Sequence, residues 1–596
     1  RVQLGLAEIA TNQGDFMSAL NLIDEAIKLK TDPKVSLNQT LLFSALVAQV
    51  DIYYQLYRKE KSIDHLKKSL ESAIEADKQL ALAESEIINE EDRVQFSVYK
   101  SLLTSIGVKA AVSLYAETGD QSYISQAYYY SEKSKANVLL QSIQESNIKT
   151  IKGVDRELLK KERELRYNIE NLEQEVFKLT GREDERNKMQ LLSSRLFDQK
   201  RIYQEVVLGL RNNPKYRQLN ASLEITSVDR VQEHLNDGEA VIEFAPGDST
   251  LFTFVITKSD IAVFSAVYDE KFSGLVTAIR NAIIFKSDAA FDYVSNKIYE
   301  VALAEVETYF ANQNLSIGQL TIVPEGPLNY FPFESLKRNG KYLIEDYEIK
   351  YSYSTTLSGL LADRENEANG QILSFAPVFA DQSTSRLTPG ALDVFEASRS
   401  VSSEGFRGFS ANGEFISALP GTKEEVDAIY QLATNNGRRA ELLVYDQAKE
   451  EVIKSGILGE YEFIHFATHG FVNESNPAYS GVFMSQNENS SEDCVLFSAE
   501  IYNLEINADL VTLSACETGL GRYAEGEGIV GLTRSFFYAG AKNMLVSQWQ
   551  VSDASTAKMM VDFYEGLLSG ETKSAALRNA KLNLIRSEEY KQPYFW

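Results

Sequence analysis

Two apolar runs in this sequence end in side chains able to exchange a proton. Phe463-Ile464-His465-Phe466-Ala467-Thr468 leads into His469-Gly470, and Leu510-Val511-Thr512-Leu513 runs into Ser514-Ala515-Cys516-Glu517-Thr518-Gly519. Both runs read as strands of an α/β sheet, and the carboxyl edge of an open parallel sheet is where sites are built. A free thiol has a pKa of about 8.5, so Cys516 needs a base to act as a nucleophile at neutral pH. His469, 47 residues earlier (516 minus 469), is the base the sequence offers. Gly470 adds no side-chain bulk beside the imidazole, so its N–H and that of Cys516 can receive a developing oxyanion. A lone buried cysteine is ordinarily inert, and a histidine ending a strand is often only hydrogen-bonded. The two together, at matched strand ends and beside glycines, point to catalysis.

His465 precedes His469 by four residues, which places both on one face if the strand continues. Packing is the expectation, a metal pair the alternative, because the other histidines, His65 and His234, are far away in sequence. No metal and no cofactor is expected. The two cysteines, Cys494 and Cys516, exclude a disulfide framework and a Cys-rich zinc module, and predict a reducing, cytoplasmic setting.

With 60 Lys+Arg against 85 Asp+Glu, the formal net charge of -25 argues against direct nucleic-acid binding. A chain of 596 residues with 44% hydrophobic and 11% aromatic residues is globular and predicts more than one domain. No apolar run of about 18 residues is present, so no membrane segment is expected in this chain. The chain begins at Arg1 and stops at Tyr594-Phe595-Trp596, which reads as an excised segment.

Residues 1–150 read as successive helices. Leu4-Gly5-Leu6-Ala7-Glu8-Ile9-Ala10, the turn Gly14-Asp15-Phe16, then Ala19, Ile23 and Ala26 resemble a tetratricopeptide repeat, and the rhythm returns at Leu66 to Ala76 and at Gly119-Asp120. Such an array usually presents a concave groove to a partner, although it can also be merely structural. Residues 151–220 carry heptads, Leu158, Leu165, Ile169, Leu172, Val176 and Leu179, then Met189, Leu192, Leu196, Val206 and Leu210, which predict a long helical hairpin acting as a rigid spacer or a moving lever. Residues 221–596 have α/β texture, with strands expected at Ala240–Phe244, Leu251–Val255, Leu320–Val323, Ile372–Phe375, Phe463–Phe466, Leu510–Leu513 and Asn543–Val546 in a mostly parallel sheet. Pro389 to Ser417 reads as an exposed insertion, and Thr422 with Glu425 as a capping box opening the next helix.

The segments F-I-H-F-A-T-H-G, L-S-A-C-E-T-G-L-G, G-E-G-I-V-G-L-T-R-S-F-F-Y-A-G-A and V-S-Q-W-Q-V-S-D, with I-V-P-E-G-P-L-N-Y-F-P-F-E-S-L at Ile322 to Leu336, resemble the CHAT domain, a family of caspase and separase relatives. The separation of His469 from Cys516 is also close to the caspase spacing of about 50 residues. The resemblance covers about residues 221–596 and implies a caspase-like fold of two halves, a non-catalytic half at 221–370 and a catalytic half at 371–596. It implies a cysteine endopeptidase with Cys516 as nucleophile and His469 as base, acting without metal on a protein substrate. By similarity to separases, Asp553 in Trp549-Gln550-Val551-Ser552-Asp553 occupies the pocket for the residue before the cut, where an acid would select Arg or Lys; capping the helix that follows is the equal alternative. Glu525 and Glu527 are rival pocket acids, and Trp549 would wall a subsite. The chain has Ser514 where metacaspase relatives carry Asp.

Three functions follow. The first is a regulated endopeptidase activated by a protein or ligand at the repeat groove, with the resemblance to bacterial defence proteases implying immunity or cell death. The second is a caspase-like protein-binding scaffold without required proteolysis. The third is a thiol hydrolase or acyl transferase, for which no acyl-carrier or cofactor site is visible in the sequence.

Overall fold

The computed structural model describes the chain apart from residues 1, 29–38, 85–89, 150–155, 180–184, 214–224, 248, 365–369, 381–385, 389–415, 474–475, 487–489, 491, 516–521, 525–527 and 550–551. Most of the expected insertion at 389–417 lies outside the described residues.

Helices α1 (Val2–Asn12), α2 (Phe16–Lys28), α3 (Gln39–Glu60), α4 (Ile63–Glu84), α5 (Glu90–Thr118), α6 (Ser122–Lys133) and α7 (Asn137–Lys149) form the array. The two G-D turns have a physical cause. Gly14 and Gly119 lie at φ +76° and +70°, where a side chain is disfavoured, and Asp15 and Asp120 then accept from the N–H of Ser18 and Ser122 to open the next helix. Along α4 the buried side chains Leu66, Leu70, Ala73, Ala76 and Leu80 recur at helical spacing. The hairpin is α8 (Arg156–Lys178) packed on α9 (Arg186–Arg211).

All seven expected strands are present, and they divide between two sheets. In the first, β1 (Glu239–Pro246), β2 (Thr250–Thr257), β3 (Ile261–Val267), β4 (Gln319–Val323) and β5 (Glu348–Tyr351) lie in the order β3-β2-β1-β4-β5, antiparallel on one side of β1 and parallel on the other. In the second, β6 (Ile372–Ala376), β7 (Ala440–Val444), β8 (Phe463–Ala467), β9 (Leu510–Ser514) and β10 (Met544–Val546) lie in the order β10-β9-β8-β6-β7, all parallel.

The array is not a separate module. Side chains of one face of the first sheet, among them Val241, Phe252, Phe254 and Ile256, share a core with Leu103, Leu114, Tyr128 and Tyr130 of α5 and α6. The opposite face, Ala240, Ile242 and Phe244, packs on the helices Glu270–Ile284 and Asp288–Ala302. Period-2 alternation therefore aims Glu243 at the array, where it meets Lys135. Lys135 Nζ stands 2.8 Å from Glu243 and 3.3 Å from Glu325, and Ser131 donates to the same Glu243 oxygen. Nearby, Glu132 accepts from the N–H groups of Thr355 and Thr356 at 2.8 and 2.9 Å, satisfying the start of the helix Thr355–Ala362. A buried polar network thus ties the α6–α7 elbow to the first half.

The second sheet is also covered on both faces. Leu373, Phe375, Ile464, Phe466, Val511 and Leu513 pack on the helix Leu532–Ala539 and on a small antiparallel sheet, while Ile372, Phe463 and Leu510 pack on the helices Pro420–Asn435 and Asp553–Leu568. The capping box expected at Thr422 and Glu425 is not formed. The helix begins earlier, at Pro420, Thr422 Oγ1 donates back to the Leu419 carbonyl, and Glu425 turns inward towards His465.

Candidate functional site

β8 and β9 are adjacent and parallel, with Ala467 paired to Ser514, and the Thr468 N–H donates to the Ser514 carbonyl at 3.3 Å. His469 follows Ala467 by two residues, and Cys516 follows Ser514 by two. Cys516 lies outside the described residues, as do Glu525 and Glu527. The last described position before the cysteine, Ala515, is buried, and its carbonyl accepts from the Ser547 hydroxyl just beyond β10.

His469 is held from several sides. Its Nε2 lies 2.8 Å from the Ser417 carbonyl. A carbonyl can only accept, so Nε2 carries the proton and Nδ1 presents its lone pair. The Phe379 ring stands 5.7 Å from the imidazole, and the side chain is only 8% exposed. Burial lowers the imidazole pKa below its ordinary value, with the Ser417 contact opposing, so the neutral ring is favoured. The backbone is fixed as well: the Phe483 N–H donates to the His469 carbonyl at 2.9 Å, and Thr468 Oγ1 donates to the Phe483 carbonyl at 2.5 Å. Gly470 begins the strand Gly470–Phe471, which pairs with Gly481–Phe483 and through it with Val495–Phe497.

His465 sits apart from this arrangement. It is fully buried, 2.8 Å from Glu425, with its ring edge-on to Tyr564. The partner of His465 is thus a carboxylate on a covering helix, a pairing that spacing in the sequence could not reveal.

Asp553 and Trp549 are both engaged. Asp553 Oδ2 accepts from the Gly421 N–H at 2.8 Å, and a Cβ on residue 421 would fall 2.6 Å from that oxygen, so only glycine allows the approach. Burial raises the Asp553 carboxyl pKa, with the Gly421 hydrogen bond opposing. Asp553 thus joins the starts of the helices Asp553–Leu568 and Pro420–Asn435. Trp549 is 6% exposed and packs into the core of the first half, which ties the two halves together, and its indole N–H donates to the Tyr594 carbonyl at 2.9 Å.

Among the described residues one cluster, Glu450, Glu492 and Glu500, has the spacing of a cation site. Lys454 Nζ stands 2.6, 2.7 and 2.6 Å from the three carboxylates and supplies the positive charge itself. Sequence reasoning also missed Ser417 and Phe379, because nothing local marks a backbone carbonyl or a distant aromatic as partners of His469.

No helix among the described residues is long and apolar enough to cross a membrane. Tetratricopeptide repeat protein 28 of Mus musculus is 26% identical over 337 residues, 50% of this chain and 13% of that protein. The Homo sapiens protein of the same name is 31% identical over 105 residues, 18% of this chain and 4% of that protein. The chain therefore spans a small fraction of the length of these relatives. A solved Saccharomyces cerevisiae separase–securin complex aligns over 96% of this chain and 51% of that chain, with a TM-score of 0.38 and 11% identity. The CHAT domain model matches residues 293–596, just over half of the sequence and including both β8 and β9, and the chain belongs to the CHAT domain family.

Proposed function

We propose that the chain is a cysteine endopeptidase whose nucleophile is Cys516 and whose base is His469. The observation that carries the reading is the Ser417 contact at Nε2, which leaves the His469 Nδ1 lone pair as the proton acceptor at the sheet edge where β9 runs towards Cys516. In the reaction, Nδ1 takes the thiol proton and the sulfur adds to the scissile carbonyl. The N–H groups of Gly470 and Cys516 receive the oxyanion. The imidazolium then gives its proton to the leaving amine, and water, deprotonated by the same nitrogen, hydrolyses the thioester.

The helical array is the sensing surface for an activating protein or ligand, a reading supported by the chain's similarity to tetratricopeptide repeat protein 28 and by the core the array shares with the first half. A role in immunity or cell death, a cytoplasmic location, and a preference for Arg or Lys before the cut belong to the same proposal. Glu525 and Glu527 are the acids that would select the basic side chain, because Asp553 already accepts from the Gly421 N–H. Fluorogenic Arg and Lys peptides, supplied to the full chain and to Cys516→Ala with candidate activators, test it. Hydrolysis lost in Cys516→Ala is the expected result, and equal rates in the two proteins would refute the assignment in favour of a binding scaffold.

A further inference from the structure

The hairpin helix α8 touches an element packed beside His469 and a helix packed on β9, the strand that runs towards Cys516. At the middle of α8, Arg166 donates to the Tyr538 hydroxyl, its guanidinium lies 5.3 Å from the centre of the Tyr538 ring, and its other nitrogen donates to the buried Glu162. Tyr538 belongs to the helix Leu532–Ala539, the first helix after Cys516 and the glycine-rich loop. At the C-terminal end of α8, Phe177 stacks on Tyr479 with ring centres 3.9 Å apart and planes 13° from parallel. Arg166 and Phe177 are eleven residues apart, three helical turns and about 16 Å, so one face of α8 makes both contacts.

The Tyr479 contact leads directly to the histidine. Tyr479 ends the turn before Gly481–Phe483, the strand that pairs with Gly470–Phe471 and whose Phe483 bonds the His469 backbone. Phe177 also packs against the aromatic cluster of Phe379, Phe471, Tyr479, Phe483 and Phe497, and Phe379 faces the imidazole. The elements at the two contacts are joined across the catalytic half, since the hydroxyls of Ser498, just after Val495–Phe497, and Ser535, on the helix Leu532–Ala539, lie 2.5 Å apart.

We infer that α8 is a positioning splint for the site, with Phe177 and Arg166 as positioning residues that hold the His469 and Cys516 supports in register. Release of this face from Tyr479 and Tyr538 is then the means by which a signal received by the helices lowers activity. The inference rests on the peptidase reading for its catalytic meaning, and on the packing of α8 for its mechanical one. A misplacement of reacting groups by about 1 Å can cost a hundredfold in rate, so a rigid external brace has a measurable effect.

The test uses the full chain carrying Phe177→Ala, the conservative Phe177→Tyr, and Arg166→Gln as a second variant acting at the other contact. Three quantities are read: hydrogen exchange of residues 470–483, the pH profile of Cys516 carbamidomethylation by iodoacetamide followed by peptide mass spectrometry, and kcat and KM on a cleaved peptide. Phe177→Ala is expected to speed exchange in 470–483 about tenfold, shift the alkylation profile towards that of a free thiol, and lower kcat about tenfold with KM within twofold. Phe177→Tyr restores all three, and exchange in β1 and β2 stays unchanged. If no peptide is cleaved by the parent chain, the peptidase reading fails, while exchange and alkylation still judge the splint. Unchanged exchange and alkylation in both Phe177→Ala and Arg166→Gln would overturn it.

Discussion

Replacing Lys135 by Met removes the ammonium that faces Glu243 across the junction of the array and the first sheet. The side chains of Lys135 and Glu243 are 3% and 0% exposed, and the distance between charges is 2.8 Å. Burial pushes the Glu243 carboxyl well above the usual carboxylate range, opposed by Lys135 and reinforced by Glu132. Burial alone would lower Lys135, but Glu243, Glu325 and Glu132 together hold it above its ordinary value. Met keeps most of the apolar stem, so the loss is electrostatic: a buried carboxyl without its cation costs about 3–5 kcal/mol. In Lys135→Met/Glu243→Leu both polar ends are gone, and the cost is expected to fall to about 1 kcal/mol or less. The sign with pH follows from the raised Glu243 pKa. A group that holds its proton more tightly when folded favours folding at low pH and loses that favour as pH rises, so the single variant suffers more at pH 8 than at pH 5. Urea unfolding of the full chain, followed by the fluorescence of its two tryptophans, of which Trp549 lies in the core of the first half, gives the free energies. A single-variant loss under about 1 kcal/mol, or a double variant no better than the single, would refute the reasoning.

The remaining predictions concern the catalytic half. Because burial lowers the His469 pKa from its ordinary value of 6.5, the acid limb of kcat/KM for the free enzyme should lie below that value, and Phe379→Ala, which uncovers the ring, should move it upward; a limb above 6.5 in the parent chain would contradict the burial argument. Asp553→Ala should cost about 1 kcal/mol in thermal or urea unfolding through loss of the Gly421 contact, while the rate ratio of Arg to uncharged peptides stays unchanged; a collapsed ratio would instead make Asp553 the pocket acid. Gly540→Ala should destabilise by about 3 kcal/mol or more in urea unfolding, because residue 540 sits at φ +130° and a Cβ there would fall 1.8 Å from the Ile506 carbonyl oxygen.

The kinds of element and their order were legible in the sequence because each has a local cause. Apolar spacing along α4, glycines at the two G-D turns and the apolar runs of β8 and β9 act within a few residues of themselves. His469 was legible in the same way, as a histidine beside glycine at the end of an apolar strand.

What the tertiary structure decided is which distant groups meet. The strands were divided between two sheets because pairing depends on contacts far apart in the chain, and the array, separable by composition, shares its core with β1 and β2. Trp549 reads locally as a subsite wall, yet hydrophobic burial draws it into the other half's core. Asp553 reads equally as a pocket acid or as a cap of the helix that follows it, and which partner takes its oxygen is decided by the Gly421 N–H, 132 residues away. The tautomer of His469 depends on the carbonyl of Ser417, 52 residues away, and a backbone carbonyl has no residue-type signature. Residue types and short spacings thus determined what chemistry the chain can carry, whereas packing determined the environment that tunes it, because solvent exclusion and hydrogen-bond partners come from the whole fold.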